Sequence, residues 1–176
     1  MIVFLFYNII MEKDFIVFVA DGFEDVELIA TLDVFSRNDL TYDLFSVENK
    51  NLAKGKYNAQ VETHKMDNLN VRNYKALFIP GGPGYKTLLA SGELRDIIKA
   101  FDYDKKIIGA ICAAPEVLKQ TGILEGRSFT SFPGTADSSS NTQNDIEVDD
   151  NIITGKNFSI TIEFAKELVK QYKKTS

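Results

Sequence analysis

The stretch KKIIGAICAAPEVLKQTG, residues 105–122, decides the fold. It opens with the apolar run 106–111, typical of a buried strand, continues through Cys112, and passes at once into a helical pattern that ends at a glycine. Ala110 and Ala114 place small residues two positions before and after the cysteine, as a sharp strand-to-helix turn requires sterically. We therefore expect the chain's single cysteine on a strained turn, with its sulfur at the edge of a sheet.

A cysteine in this position is a candidate nucleophile. The helix that follows Cys112 directs free backbone N–H groups toward the sulfur, which favours the thiolate and predicts a lowered thiol pKa. A buried structural cysteine is the alternative, and it is the commoner fate of a lone cysteine. The flanking alanines and the switch from strand to helix favour the reactive turn.

Short β-branched and aromatic runs alternate with helical patterns along the whole chain. This alternation indicates one α/β domain over residues 1–176, with a mostly parallel sheet covered by helices on both faces. Strands are predicted over 15–20, 42–47, 58–64 (a strand or hairpin arm), 76–80, 106–111 and 127–132, with a hairpin over 146–155. Helices are predicted over 25–37, 114–122 and 159–174, and successive helices over 85–101, with Ser91 as the N-cap of the second. The first helix rests on the near-helical spacing of Val26, Ile29, Leu32 or Asp33, and Phe35.

The segment ADGFEDVE (20–27) follows the first predicted strand. Because ligand sites of parallel sheets lie at the carboxyl ends of the strands, Glu24 could sit beside Cys112 as a proton donor or general base. Taken alone, Glu24 would merely complement the positive end of the helix dipole, and Asp25 and Glu27 are expected to do only that.

The segment IPGGPGY (79–85) ends another predicted strand at the same edge. Glycines permit positive φ and a close backbone approach, so Gly81 and Gly82 could turn their amides toward an oxyanion. A single glycine-rich turn is weak evidence, but three motifs that end three strands support one another.

Composition excludes several kinds of partner. The net charge of −5 argues against a nucleic acid or an anionic membrane, and one cysteine allows no intramolecular disulfide, so a reducing cytoplasm is expected. One cysteine and one histidine cannot complete a metal site, and no phosphate-binding or dinucleotide-binding fingerprint occurs, so neither a metal nor a cofactor is predicted. His64 is expected at the surface. The apolar opening MIVFLFYNII is too short to span a bilayer, and residues 1–12 are interpreted as an N-terminal extension.

The motifs DGFEDVE, DVFSRNDL, FIPGGPG, IIGAICAAPEVLKQTGIL and IEFAKELV resemble the DJ-1/ThiJ/PfpI superfamily over most of residues 14–170. The resemblance is to the DJ-1 branch, because the protease-like branch usually has a histidine where this chain has Ala113. It implies a flavodoxin-like three-layer α/β sandwich and a homodimer, with Cys112 as the reactive, easily oxidised cysteine. It also implies that Glu24 is the protonated glutamate bonded to that cysteine, and that Gly82 and Ala113 supply amides near the sulfur.

The resemblance leaves two functions open. One is cofactor-free turnover of small reactive aldehydes or glycated substrates; the other is a redox sensor or chaperone that responds to oxidative stress through a cysteine sulfinate. Phe132 and Pro133 are expected in the pocket, with Phe132 where many members have a histidine. An amidotransferase-like or peptidase hydrolase is less favoured, because no histidine follows Cys112 in the chain.

Overall fold

A computed structural model describes residues 12–175, in which one seven-stranded sheet carries helices on both faces. Residues 1–11, most of the predicted extension, lie outside the described residues. The strands are β1 (Lys13–Val19), β2 (Tyr42–Ser46), β3 (Leu52–Lys54), β4 (Gln60–Glu62), β5 (His64–Lys65), β6 (Tyr74–Ile79), β7 (Ile107–Ile111), β8 (Ile146–Asp149) and β9 (Ile152–Gly155). The helices are α1 (Asp25–Arg37), α2 (Tyr85–Ala90), α3 (Gly92–Tyr103), α4 (Pro115–Thr121) and α5 (Thr161–Thr175).

The strand order in the sheet is β5-β2-β1-β6-β7-β9-β8, and only the β8–β9 pair is antiparallel. From β1 the chain first builds outward to β2 and later returns to place β6 on the other side of β1. Ligands of such sheets bind beyond the carboxyl ends of the strands at this switch point. The segments that follow β1, β6 and β7 therefore meet at one edge, as the sequence predicts.

Side chains of β1 alternate between two hydrophobic cores. Phe15, Val17 and Val19 pack beneath α1 and α5, whereas Ile16 and Phe18 face the core under α2, α3 and α4. Both faces of the strand are buried, which is why it reads as a continuous apolar run. This confirms the predicted flavodoxin-like three-layer arrangement.

Two predicted strands differ from the structure in instructive ways. The 58–64 segment forms the second arm of a small β3–β4 hairpin and then β5 at the sheet edge. The prediction of a strand over 127–132 is wrong, because the backbone of this segment bonds to the loop 140–144 and to a side chain rather than to a neighbouring strand. Phe129 instead makes an isolated bridge to Asn141, and the Thr130 amide donates to Thr154 Oγ1 at 2.9 Å.

Candidate functional site

Cys112 lies on a sharp turn between β7 and α4. Its φ of 61° falls in the left-handed region, which a non-glycine residue adopts only when its surroundings hold it there. Two backbone hydrogen bonds of 2.8 Å do so: the Cys112 amide donates to the Gly155 carbonyl, and the Phe132 amide donates to the Cys112 carbonyl. Pro115 begins α4 immediately afterwards, with its fixed φ suited to a helix start. The strained turn predicted from the sequence is thus present.

The glycine loop after β6 packs directly against this turn. A β-carbon on Gly81 would lie 2.7 Å from Cys112 Cβ and 2.8 Å from Glu27 Oε2, so only glycine fits between the two side chains. Gly82 has a φ of +88°, and a β-carbon there would lie 2.4 Å from the Glu24 amide nitrogen. These two glycines allow β6, β7 and α1 to bring their polar groups together.

The carboxyl group beside Cys112 belongs to Glu27, in the first turn of α1. Its Oε2 accepts a hydrogen bond from the Gly81 amide at 2.8 Å, and its side chain is completely buried. Oε1 is also buried and has no partner of ordinary hydrogen-bond geometry among the described residues. The Cys112 thiol is the neighbouring side chain whose hydrogen bond affects the pKa of this carboxyl group. Burial raises the pKa of Glu27 to about 7, against the opposing hydrogen bonds from the Gly81 amide and the thiol.

The prediction that Glu24 is this partner is wrong. Glu24 is the N-cap residue of α1, and its carboxylate lies 3.5 Å from Lys56 Nζ at the mouth of the site. The apolar spacing that placed Val26 and Ile29 on the buried face misjudges the helix phase, since both side chains are more than 40% exposed (43% and 45%). Leu32 and Phe35 are buried as predicted, but the first turns of the helix bury Glu27, Leu28 and Thr31 in place of Val26 and Ile29, so the helix directs Glu27 inward.

The electrostatics of the thiol also differ from the prediction of a lowered pKa. Burial and the negative charge of Glu27 raise the pKa of Cys112 to about 12, although the amides of Ala113 and Gly82 act in the lowering direction. Two adjacent acids, Glu27 fully buried and Cys112 partly buried, resist carrying two negative charges. Over the neutral range the pair therefore carries at most one, and Glu27 can receive the thiol proton.

Of the predicted amide donors, Gly82 and Ala113 face the sulfur, whereas Gly81 does not. The Gly81 N–H is already used by Glu27, so it is unavailable to an oxyanion, and its carbonyl accepts from the Glu24 amide at 2.9 Å. The loop thus divides its backbone groups, one amide holding the carboxyl and the next facing the thiol.

A cavity of about 470 Å³ opens over the sulfur, within the usual range for small-molecule sites. Phe132 stands at its rim with 44% of its surface exposed. Pro133, predicted in the pocket, is exposed and is not part of the lining, which contains Pro83 instead. The lining residues are Glu24, Lys56, Gly82, Pro83, Tyr85, Lys86, Cys112, Ala113, Phe132, Thr135 and Phe158.

The family model for the DJ-1/PfpI family matches residues 13–171. The chain belongs to the DJ-1/PfpI family. The matched range includes β1, the cysteine turn and most of α5, so the family assignment covers the whole site described above.

Relatives within the DJ-1/PfpI family include proteins of different size and description. The chain is 29% identical over 160 residues to protein DJ-1 homolog B of Arabidopsis thaliana, covering 88% of this chain but only 36% of that protein's length. It is 27% identical over 160 residues to deglycase PfpI of Pyrococcus furiosus, covering 88% of this chain and 96% of the relative. Among solved structures, oxidized Toxoplasma gondii DJ-1 superposes with a TM-score of 0.82 at 27% identity, covering 92% of this chain and 95% of that one.

Several pocket residues of this DJ-1/PfpI protein carry no local sequence signal. Lys56 comes from the β3–β4 turn, Phe158 from the segment before α5, and Thr135 from the loop after Phe132, so all depend on tertiary packing. Tyr85 and Lys86 could have been suspected, since they directly follow the glycine loop.

Other features of this DJ-1/PfpI chain lie away from the cysteine. His64 is on β5 at the sheet edge, 63% exposed, with Nε2 3.7 Å from an Asp43 carboxylate oxygen. Within residues 12–175, no group of three or more histidine, cysteine, aspartate or glutamate side chains could hold a metal ion. In the same range, no helix has the length and apolar character needed to cross a bilayer.

Proposed function

We propose that this protein converts small α-oxoaldehydes, free or as adducts on other molecules, into α-hydroxy acids by cysteine-dependent chemistry without a cofactor. The observation that supports this most is the fully buried Glu27 carboxyl directly behind the strained Cys112, whose side chain lines an accessible cavity. A nucleophile, a proton-transfer group and two amides are the components that addition to a carbonyl requires. The name deglycase carried by the Pyrococcus furiosus relative agrees with this substrate class.

The first step is attack of sulfur on the aldehyde. Glu27 takes the thiol proton as Cys112 Sγ bonds to the aldehyde carbon, and the electron pair of the C=O bond moves to oxygen, which the amides of Gly82 and Ala113 stabilise. Ionised Glu27 is the form that accepts the proton. Because its pKa is about 7, kcat/KM should rise as the pH increases through that value.

The second step moves hydrogen between the two carbons. Glu27 first gives the thiol proton to the oxyanion, which leaves a neutral hemithioacetal and an ionised carboxylate. The carboxylate then removes the proton from the former aldehyde carbon and delivers it to the neighbouring carbonyl carbon. The hydroxyl proton passes to the oxygen of that second carbon, which leaves a thioester of an α-hydroxy acid on Cys112. Water cleaves the thioester, releases the acid and restores the thiol. One carbon is oxidised and its neighbour reduced, so the sum is α-oxoaldehyde plus water giving α-hydroxy acid, with no external oxidant.

The direct test is formation of lactate from methylglyoxal by the wild type, Cys112→Ala and Cys112→Ser, with circular dichroism as a check on folding. We expect turnover in the wild type only. Equal turnover in Cys112→Ala would refute the proposal.

The second candidate function is that of a redox sensor or chaperone in an oxidative-stress response. Peroxide can oxidise the Cys112 thiol to a sulfinate, and Glu27, whose raised pKa keeps it protonated into the neutral range, can donate a hydrogen bond to that group. The similar structure of Toxoplasma gondii DJ-1 is described as oxidized, which supports this second candidate function. Intact mass after mild peroxide should rise by two oxygens in the wild type and not in Cys112→Ala.

We further propose that the protein is a homodimer working in a reducing cytoplasm. Val26 and Tyr57 line an exposed apolar hollow between α1 and the β3–β4 hairpin, and Ile29 on α1 and Ile162 on α5 are also exposed. A second copy of this face would cover those side chains. Sedimentation should show a dimer in the wild type and a monomer in Val26→Glu/Ile29→Glu; a wild-type monomer at micromolar concentration would contradict the proposed dimer.

The free thiol of Cys112 suits a reducing compartment such as the cytoplasm.

A further inference from the structure

Two lysines share the cavity with Cys112, although the chain as a whole carries a net charge of −5. Lys56 enters from the β3–β4 turn and Lys86 from the second position of α2. Lys56 is paired with Glu24 at 3.5 Å. Lys86 has no ion-pair partner among the residues that the structure describes. The nucleophile of an acidic protein is thus approached past two ammonium groups.

The charges around the cavity do not cancel when the Cys112–Glu27 pair keeps both protons. Lys56 and Lys86 then face a single carboxylate, that of Glu24, so the cavity holds one excess positive charge. When the pair loses a proton, its negative charge lies on the buried floor, whereas Lys86 is exposed at the rim. The rim therefore remains attractive to a negatively charged group on an incoming molecule.

The rest of the rim suits the uncharged part of the same molecule. Tyr85, Phe132 and Phe158 provide aromatic surface, and Thr135 adds a hydroxyl. The cavity of about 470 Å³ is larger than a three-carbon aldehyde needs, which leaves space for a substituent between the sulfur and the lysines.

We propose that Lys56 and Lys86 make this site selective for α-oxoaldehydes that carry an anionic group, a carboxylate or a phosphate ester, a few atoms from the reacting carbonyl. The turnover part rests on the proposed function; the selectivity of the cavity for anions does not. Both lysines are specificity-determining residues that contact the substrate's charge, and the reaction is the hydration and internal hydrogen transfer written above.

The first experiment measures the selectivity without any turnover. Because Cys112 is the only cysteine, its alkylation by anionic iodoacetate and by neutral iodoacetamide can be followed by intact mass. Both reagents consume the same thiolate, so the ratio of their rate constants is independent of the thiol pKa and reports the local potential. We expect the ratio of iodoacetate to iodoacetamide rates to fall at least threefold in Lys56→Met and in Lys86→Met, and about tenfold in the double variant.

A matched control comes from Lys99→Met, an exposed residue of α3 that is not part of the cavity lining. It changes the net charge by the same amount and should leave the ratio unchanged. Added salt should reduce the wild-type ratio toward that of the double variant. A double variant with the wild-type ratio would overturn the proposal, as would an equal fall in Lys99→Met.

The second experiment compares γ,δ-dioxovalerate with its uncharged methyl ester as substrates. We expect kcat/KM of the wild type to favour the acid about tenfold over the ester, and the ratio of the two values to fall toward one in the double variant. A phosphate-bearing analogue, α-oxo-β-phosphooxypropionaldehyde, is tested alongside, and the substrate whose kcat/KM falls more in the variant identifies the anionic group. If kcat/KM falls for neither anionic substrate in the double variant, the proposal is overturned for substrates.

The two experiments separate the two proposals. A lysine-dependent alkylation ratio without turnover of any aldehyde would refute the proposed activity and leave the anion selectivity standing. Turnover that depends on Cys112, together with an alkylation ratio that neither lysine affects, would support the proposed activity and refute the anion selectivity.

Discussion

The cysteine turn and the first turn of α1 both follow central parallel strands, yet they are determined in different ways. The position of Cys112 is set by its immediate neighbours, because a strand that passes at once into a helix through small residues leaves one sharp conformation for the residue between them. The side chain that α1 presents is set by packing far along the chain. Glu27 points inward because the Gly81 amide and the cysteine lie there, not because the local sequence marks it.

The largest expected effect comes from comparing glutamine substitutions at Glu27, in the first turn of α1, and at Glu24, its N-cap residue. Glu27→Gln removes the group that accepts the thiol proton, so we expect kcat/KM with methylglyoxal to fall about 10² to 10⁴-fold, the usual range for general acid–base groups. Glu24→Gln only loosens a partly exposed ion pair at the rim and should cost less than about tenfold. A larger loss in Glu24→Gln than in Glu27→Gln would restore the assignment made from the sequence.

Much of the molecule could be predicted from sequence because its signals are local. The buried strands, the strained cysteine and the N-cap at Ser91, whose hydroxyl accepts from the Leu94 amide at 3.2 Å, all follow from neighbouring residues. The phase of α1 could not, because apolar periodicity counts a glutamate as exposed. Glu27 does not fit that assumption, because burial favours its neutral form. Val26 and Ile29, which the periodicity counts as buried, are exposed.

The buried carboxyl should also make stability depend on pH. The pKa of Glu27 is raised from 4.5 to about 7, so between those values the folded protein holds a proton that the unfolded chain has released. The free energy of unfolding therefore falls as the pH rises through this window, by about 3 kcal/mol in total at 1.4 kcal/mol per pH unit. Below the window the effect is absent, and above it the loss is complete.

Urea unfolding of the wild type and Glu27→Gln at both ends of the window measures this effect. The variant does not titrate at this position, so its stability relative to the wild type should improve by about 3 kcal/mol between pH 4.5 and pH 8. Other titrating groups are common to both proteins and cancel in the difference. A difference that stays constant with pH would show that Glu27 has an ordinary pKa.

The glycine loop that joins the two regions gives the next largest effect. Gly82→Ala introduces a β-carbon 2.4 Å from the Glu24 amide nitrogen at a φ of +88°. Gly126→Ala is the matched control, because its φ is +74° but nothing lies within 4 Å of the added carbon. Both pay about 1 kcal/mol or more for the left-handed backbone, and we expect Gly82→Ala to lose about a further 2 kcal/mol in urea unfolding through the clash. Equal losses would mean that the loop moves away freely.

The finest distinction concerns which carboxyl the sulfur senses. After burial, the charge and hydrogen bond of Glu27 are the causes that raise the pKa of Cys112, and Glu24 is not among them. The pH dependence of iodoacetamide alkylation should therefore move to lower pH in Glu27→Gln, because the thiolate no longer forms beside a second negative charge. In Glu24→Gln the profile should move less, since its carboxylate is paired with Lys56 at the rim. A profile that moves equally in both variants would indicate that the cavity responds to total charge rather than to one buried neighbour. The deep carboxyl and the rim would then act as one electrostatic unit, and the contrast between the two regions would be one of position only.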